Sequence, residues 1–374
     1  MRNILFLSLF LFSCSTVDKH GACIPAQEGD LPCKPKRAGM IPLNRAYDSV
    51  KPLGVRDLAG QVLVGELMIT SPAESVLQGV SLRTKESIWT LPLSSSVTSP
   101  LVAQGPFLVV GLRDGTVLKL EAATGKKLWS QKLGRYMSRE AGFAGGKILV
   151  TTVDQKLFAL DFKTGKTHWI YNAGLPTGIV MHGASKPIVM GSLVLLGTSD
   201  GELHGVDVDT GKSIWSFSPG SSTSRFSDVV GEIAVQDGNA IVSRYDGTVF
   251  AVSVATGMRR ILWKKTVPIV TSSYYRNGVF FVGCLNGEFL ALDGASGRVL
   301  WTQQLGQATA SITPGEKVVY IAGTKGQISA LDASNGGFLW ADSLDTSINH
   351  SPILWNGILY FGTSMKVLYG YKVL

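Results

Sequence analysis

The sequence has 374 residues, of which 35 are Lys or Arg and 27 are Asp or Glu, so its formal net charge is +8 at pH 7. A basic excess of this size could attract nucleic acid, anionic lipid or acidic proteins. The lysines, however, are spread along the chain and cluster only at residues 34–37, which is typical of scattered solvated charge and argues against a nucleic-acid-binding stripe.

The first residues carry the pattern of an export signal. One arginine is followed by an apolar run that ends at Phe12 and is too short to span a bilayer. Leu11–Cys14 resembles a bacterial lipobox, in which the cysteine is lipidated, and Ser15 resembles the class sorted to the outer membrane. We therefore predict a signal peptide over residues 1–13 and a lipid anchor at Cys14 on the periplasmic face of the outer membrane. The alternative is an ordinary signal peptide followed by an unmodified cysteine.

A flexible tether is predicted over residues 14–43. Cys23 and Cys33 lie close together in it, and an oxidising periplasm permits a disulfide between them. Cys284 lies in an apolar, strand-like run. No spacing of the cysteines matches a metal site, and we expect neither a metal nor a cofactor.

Seven of the eight tryptophans recur at intervals of 38 to 48 residues. The preceding residues are alike, as in Ala159-Leu-Asp-Phe-Lys-Thr-Gly-Lys-Thr-His-Trp169, where the glycine permits a tight turn between two strands. About ten residues upstream lies a second turn signal such as Asp114–Gly115, flanked by alternating apolar residues. Each unit is therefore predicted to be a four-stranded antiparallel meander. The recurring tryptophans are Trp89, Trp129, Trp169, Trp215, Trp263, Trp301 and Trp340.

Repeats of about 40 residues with four strands each predict radially stacked sheets, because a lone sheet leaves apolar faces exposed. The first unit is complete from Gly65, whereas Ser351–Leu374 supplies only three strands. Asn44–Val55 is expected to complete that last blade and so to remove an open sheet edge. We predict an all-β fold over residues 44–374, an eight-bladed propeller of four-stranded antiparallel blades, with the ring closed by pairing of N- and C-terminal strands.

Two adjacent connections between repeats are unusually long. The distance from the tryptophan to the glycine that opens the next blade's second strand is 22 residues after Trp169 and 23 after Trp215, against 14 to 17 elsewhere. Because insertions in repeat proteins map to loops, residues 174–185 and 218–230 should lie side by side on one face. The first is apolar and the second mixes Phe226 with opposite charges, which suits contact with another protein. The alternative is that the apolar side chains fold back onto the propeller.

The repeat Ala-x-Asp-x-x-Thr-Gly-x-x-x-Trp resembles the motif of quinoprotein propellers and covers nearly all of residues 60–374. We interpret its tryptophans as packing between neighbouring blades, and not as a quinone site. The sequence departs from the motif at Lys85 and Ser253 and by a two-residue insertion before Trp263.

The long connections carry a closer resemblance. Arg225–Val229 is similar to an Arg-Leu-Ser-Asp-Val stretch of the BamB family of outer-membrane assembly factors, and Gly183–Pro187 resembles the segment after that family's partner-binding loop. The resemblance implies a non-catalytic scaffold that docks on the periplasmic domains of BamA, the barrel-inserting subunit, among other assembly subunits. His182 stands where the family has arginine. The implied contact residues are Ile179, Met181, His182, Arg225, Phe226 and Asp228.

Enzyme interpretations have weaker support. Quinone-dependent dehydrogenases need calcium, a catalytic aspartate and adjacent cysteines over the quinone, whereas the four cysteines here are scattered. Gly197-Thr-Ser-Asp-Gly201 matches a Gly-x-Ser-x-Gly pattern, but it is predicted to be a hairpin, and a nucleophile elbow requires a strand-to-helix turn. The alternatives left open are a quinone-dehydrogenase-like protein and a propeller that binds another envelope complex or cell-wall glycan.

Overall fold

The computed structural model describes residues 37–42, 60–73, 75–174, 184–220, 226–254, 259–344, 346–348, 351–363 and 367–373. Within these residues the chain forms 32 β-strands and no helix, and the strands make eight four-stranded sheets. The described part therefore contains no helix that is long and apolar enough to cross a membrane. The prediction of an all-β, eight-bladed propeller is confirmed.

The strands of the first half of the chain are β1 Arg37–Pro42, β2 Val62–Val64, β3 Leu67–Ala73, β4 Val76–Ser81, β5 Ser87–Pro92, β6 Val102–Gln104, β7 Phe107–Gly111, β8 Thr116–Glu121, β9 Lys127–Lys132, β10 Gly142–Ala144, β11 Lys147–Thr151, β12 Lys156–Asp161, β13 Thr167–Asn172, β14 Ile188–Met190, β15 Leu193–Gly197, β16 Leu203–Asp207 and β17 Ser213–Phe217. Those of the second half are β18 Val229–Gln236, β19 Asn239–Arg244, β20 Thr248–Ser253, β21 Ile261–Thr266, β22 Val270–Arg276, β23 Val279–Cys284, β24 Glu288–Asp293, β25 Val299–Gln304, β26 Thr309–Pro314, β27 Val318–Gly323, β28 Gln327–Asp332, β29 Phe338–Ser343, β30 Ile353–Trp355, β31 Ile358–Gly362 and β32 Val367–Lys372.

Blades 1 to 7 are each built from four consecutive strands, named A to D here, starting with β2–β5. Neighbouring A strands contact each other around the centre, whereas the D strands are the most exposed and form the rim. Blade 8 combines β30, β31 and β32 with β1. In every blade, alternating side chains therefore face the two neighbouring blades.

The repeated Asp-x-x-Thr-Gly segment is the turn between strands C and D. In blade 3, Asp161 Oδ1 accepts hydrogen bonds from the Thr164 backbone N–H at 2.7 Å and from its hydroxyl at 2.8 Å. Gly165 follows with φ of +75°, a conformation that favours glycine. A Cβ atom at Gly165 would also lie 2.7 Å from the ring of Trp129 in the preceding blade. The motif glycine is thus required both by the turn and by the packing of the tryptophan.

The motif tryptophans pack between blades, as predicted. Five indole N–H groups donate to a backbone carbonyl in the C–D turn of the next blade: Trp89 to Ala122 at 3.0 Å, Trp129 to Phe162 at 3.2 Å, Trp169 to Val208 at 3.2 Å, Trp263 to Gly294 at 3.0 Å and Trp301 to Ala333 at 3.0 Å. Trp215 differs because Arg259, which lies in the insertion before Trp263, donates to the equivalent Val254 carbonyl and places its guanidinium 4.5 Å from the Trp215 ring centre. Among the described residues the Trp215 indole N–H has no acceptor.

The hydrophobic core is divided among the blade interfaces. Each cluster of buried side chains spans two neighbouring sheets. At the junction of the last blade with the first, Met68 and Val80 pack with Tyr360 and Leu368. Burying apolar surface contributes about 25 cal/mol of free energy per Å². The apolar surface buried at every interface therefore stabilises the ring as a whole.

The sheet that contains both chain ends corrects one predicted boundary. β1 pairs antiparallel with β32, and Met40 lies opposite Tyr369. This strand falls inside the predicted tether, so the propeller begins by residue 37 and not at residue 44. The predicted pairing segment Asn44–Val55 lies outside the described residues. β1 is the outermost strand of its sheet, so its outer edge makes no ladder hydrogen bonds and the strand can contain Gly39 and end on Pro42. Such a strand lacks the apolar alternation by which strands are predicted from sequence.

One buried cation breaks the repeat pattern. The strand C residue opposite the motif tryptophan is Ala in blades 3 and 6, but it is Lys119 in blade 2, opposite Trp129. Lys119 is 4% exposed, and its Nζ donates to the Phe162 carbonyl at 2.8 Å. The same Nζ lies 3.5 Å from the Phe162 ring centre and 4.0 Å from that of Phe107. Two ring faces and a carbonyl therefore replace water around this ammonium group.

Candidate partner-binding face

The long connections emerge on one face of the propeller. Successive strands of a blade are antiparallel, so the B–C hairpins and the D–A connections to the next blade lie at the same end, which we call the loop face. The A–B and C–D turns form the opposite turn face. In blades 2 and 6 the residue that starts the connection bonds to the adjacent hairpin, with Leu133 N–H donating to Gly115 O and Leu305 N–H to Gly287 O, both at 2.8 Å.

The two long connections run from β13 to β14 and from β17 to β18. Residues 175–183 and 221–225 within them lie outside the described residues. So do most of the predicted site residues, namely Cys14, Cys23, Cys33, Ile179, Met181, His182 and Arg225.

The described ends of the two connections meet at the same hairpin of blade 4. Ser185 N–H, after the first connection, donates to Gly197 O at 2.8 Å. Val229 N–H, after the second, donates to Thr198 O at 3.1 Å. The two connections therefore leave from neighbouring positions on the loop face. Part of the extra distance from Trp215 to the second strand of the next blade is a bulge inside β18, between Val230 and Ala234.

Two predicted contact residues are described, and the structure gives them different environments. Phe226 is half-buried and packs edge-on against Tyr245, with ring centres 6.2 Å apart and planes at 81°. Asp228 is 0% exposed, and its carbonyl accepts the Tyr245 N–H at 2.8 Å. Asp228 was expected among surface contacts, but its burial beneath the connection suits support of the loop and not direct contact with a partner.

A buried ion pair lies under the second connection. Arg244 Nη2 and Asp246 Oδ2 are 2.8 Å apart, with side chains 3% and 7% exposed. Arg244 Nη1 also donates to Gly220 O at 3.3 Å, and Lys264 Nζ donates to Pro219 O at 3.1 Å. Two cations of blade 5 thus hold the start of the connection. Neither contact could be predicted from the sequence, since an Arg before an Asp–Gly turn gives no sign of what it will contact.

Side chains of types that can serve in catalysis occupy structural positions. Ser199 lies in a strand-to-strand hairpin, and its hydroxyl donates to Gln155 Oε1 at 3.0 Å. His204 lies in β16, where its Nδ1 is 2.8 Å from the Tyr171 hydroxyl and burial lowers its pKa. Burial raises the pKa of the Cys284 thiol to about 12, which makes it a poor nucleophile at neutral pH. No group of three His, Cys, Asp or Glu residues suited to a metal ion occurs in the described ranges.

A cavity of about 420 Å³ lies on the turn face between blades 6 and 7. Its walls include Phe281 and Val318 as well as Arg276, Lys317 and Asp332. Arg276 Nη1 donates to the Pro314 carbonyl at 2.8 Å at its edge. The cavity is therefore on the side of the ring opposite the two long connections.

These features define a class of protein: an eight-bladed β-propeller with quinoprotein-type repeats that gathers two long connections on one face. The profile of the family described as outer membrane protein assembly factor BamB matches residues 73–303 and 261–373, which is most of the chain. The chain belongs to the BamB family. The family resemblance seen in the sequence is thereby confirmed.

Individual relatives are distant. The outer membrane protein assembly factor BamB of Burkholderia pseudomallei is 24% identical over 119 residues, a match that spans 32% of this chain and only 31% of that protein. The crystal structure of BamB from Moraxella catarrhalis has a TM-score of 0.76 at 20% identity and covers 91% of this chain and 100% of its own. A quinohemoprotein alcohol dehydrogenase from Pseudomonas putida has a TM-score of 0.66 at 13% identity, covering 84% and 74%. At such identities the structural likeness shows the fold alone.

Proposed function

We propose that this chain is a non-catalytic scaffold lipoprotein of the outer-membrane β-barrel assembly machinery, which docks on the periplasmic domains of a BamA-like barrel protein and assists insertion of outer-membrane proteins. The observation that carries the proposal is the BamB family match over residues 73–373. Residues 1–13 act as the export signal in this proposal, and Cys14 carries the lipid that holds the chain at the periplasmic face of the outer membrane.

The proposed contact surface is the part of the loop face formed by the two long connections. Ile179 and Met181 supply an apolar centre, with His182 and Arg225 around it and Phe226 at the edge, because interface centres favour apolar and aromatic side chains while charged groups lie at the rim. Geometry supports this choice, since both connections end on one hairpin and the second is braced by Arg244 and Lys264 at its start.

A dehydrogenase is the rival that shares the fold. The likeness to the Pseudomonas enzyme extends to the architecture at 13% identity, and the motif tryptophans shared with quinoproteins pack between blades here. We propose that the chain makes and breaks no bond. Quinone and calcium binding in the central channel, detected by absorbance and calorimetry on the purified chain, would overturn that part of the proposal.

The test is an affinity purification from detergent-solubilised envelopes with Ile179→Asp plus Met181→Asp. Two carboxylates placed in an apolar contact are left unsolvated, so recovery of a large barrel protein with periplasmic repeats should fall at least about tenfold, which corresponds to 1.4 kcal/mol. The matched control is Ile88→Asp plus Leu128→Asp, which makes the same chemical change at side chains that are 55% and 43% exposed on the rim.

The control should recover the barrel protein as the native chain does. Equal recovery with both double variants would place the interface elsewhere, and failure of the native chain to recover any such barrel would reject the proposed partner.

A further inference from the structure

Gln155 breaks the pattern of the loop-face hairpins. The corresponding turn position in blades 2, 4, 5, 6 and 7 is glycine with φ between +81° and +89°, namely Gly115, Gly201, Gly247, Gly287 and Gly326. In blade 3 it is Gln155 with φ of +60°. A side chain in this conformation is strained relative to glycine, so the repeat itself favours glycine at this position.

The Gln155 side chain is directed into the protein and is 1% exposed. Its Oε1 accepts hydrogen bonds from the Ser199 N–H at 2.8 Å and from the Ser199 hydroxyl at 3.0 Å, across the interface between blades 3 and 4. Its Nε2 donates to Gly174 O at 3.4 Å, and its backbone carbonyl accepts the Ala173 N–H at 3.2 Å. Gln155 thereby joins the last described residues before the first long connection to the hairpin of blade 4.

That hairpin is also where the second connection ends. Thr198, next to Ser199, accepts the Val229 N–H at 3.1 Å. In the same hairpin, a Cβ atom at Gly201 would lie 2.6 Å from the Ser227 carbonyl, so there is no room between the hairpin and the second connection. A continuous set of contacts thus runs from Gly174 through Gln155 and the hairpin to the end of the second connection.

We infer that Gln155 is a positioning residue that fixes the described ends of the two long connections against the hairpin of blade 4, and that the loop face meets its partner with these ends already in place. The inference rests on the proposed function for its binding readout. Fixing these ends before the encounter raises the fraction of molecules competent to bind, and this fraction multiplies the intrinsic affinity.

The test is Gln155→Gly, which gives blade 3 the turn residue of its neighbours and removes only the side-chain bonds. In the free protein, hydrogen exchange at the Ser199 amide should accelerate at least about tenfold, since that amide loses its acceptor. Affinity for the purified periplasmic domains of the BamA-like protein should fall by about tenfold or more, largely through a slower association rate, because fewer molecules are competent at encounter.

Lys85→Gly is the matched control. Lys85 has φ of +62° at an exposed C–D turn on the opposite face, so the substitution relieves the same backbone strain. It should leave both the Ser199 exchange rate and the partner affinity at wild-type values. If Gln155→Gly fails to fold, Gln155→Asn replaces it, because asparagine tolerates positive φ but is one methylene too short to hold the same contacts.

The outcomes separate the two proposals. Unchanged Ser199 exchange in Gln155→Gly, or a partner affinity equal to that of Lys85→Gly, would overturn the positioning role. If the native chain itself does not bind the periplasmic domains, the proposed partner is wrong, and the exchange result alone then decides whether Gln155 fixes the described ends of the connections.

Discussion

The buried ion pair beneath the second connection offers a direct test of the structure. Among the described residues, Asp246 is the only carboxylate that forms an ion pair with Arg244, and Arg244 Nε has no acceptor. Asp246 also accepts the Thr248 N–H at 2.9 Å, a turn bond that asparagine can retain. Asp246→Asn therefore keeps the size and the turn while it leaves a guanidinium buried without a counter-charge.

The expected cost follows from the burial of both groups. Removing one partner of a buried pair typically costs about 3–5 kcal/mol, and the loss is smaller here because Arg244 keeps its hydrogen bond to the Gly220 carbonyl. We expect a loss of about 2–4 kcal/mol. For a domain larger than about 250 residues, roughly 2 °C per kcal/mol then gives a fall in Tm of about 4–8 °C.

Blade 2 supplies the control. Asp114 occupies the same turn position, accepts the Thr116 N–H at 3.0 Å and is exposed. Asp114→Asn should change stability by no more than about 0.5 kcal/mol, as is usual for surface substitutions. The assay is thermal unfolding of both variants, with circular dichroism and fluorescence required to give coincident transitions. Equal shifts in the two variants would refute the claim that Asp246 compensates a buried charge.

Two other perturbations test the blade interfaces. Trp301→Phe removes the indole N–H bond to the next blade, whereas the indole N–H removed by Trp215→Phe has no acceptor in the described residues. In urea unfolding, Trp301→Phe should therefore lower the free energy of unfolding by about 1 kcal/mol more than Trp215→Phe does. The reverse order would contradict the assignment of these hydrogen bonds. Burial lowers the pKa of Lys119, so in the window between that pKa and 10.5 the unfolded chain binds the proton that the native state has released. Raising the pH toward 10.5 should therefore stabilise the native chain relative to Lys119→Met; a Tm difference that moves the other way between pH 7 and pH 10 would show that the ammonium is not desolvated.

The blades could be predicted from the sequence because each depends on local chemistry repeated seven times. Asp161 and Gly165 form their turn within five residues, and the tryptophan four residues later marks the same register in every unit except the one with the insertion before Trp263. Such a pattern determines strand number and order before any long-range contact is known. The strand β1 escaped prediction because it belongs to no repeat and its edge position imposes no alternation.

The candidate site was less predictable because its supports are contacts between distant residues. Asp228 appeared to be a surface charge because short polar residues usually mark exposed loops, yet it is buried beside Tyr245. Lys119 is visible in the sequence because the corresponding residue of blades 3 and 6 is Ala, but the carbonyl that stabilises it lies 43 residues away in the next blade. Gln155 carried a usable signal, a long side chain where the hairpins of blades 2, 4, 5, 6 and 7 have glycine.

The measurement that tests the central claim most directly is hydrogen exchange of the full chain, alone and with the periplasmic domains of the BamA-like protein. The proposed docking predicts protection on binding in residues 174–185 and 218–230, with no change at the C–D turns of the opposite face such as residues 121–126. Protection confined to the turn face, or no protection at concentrations where a complex forms, would contradict the assignment of the loop face as the docking surface.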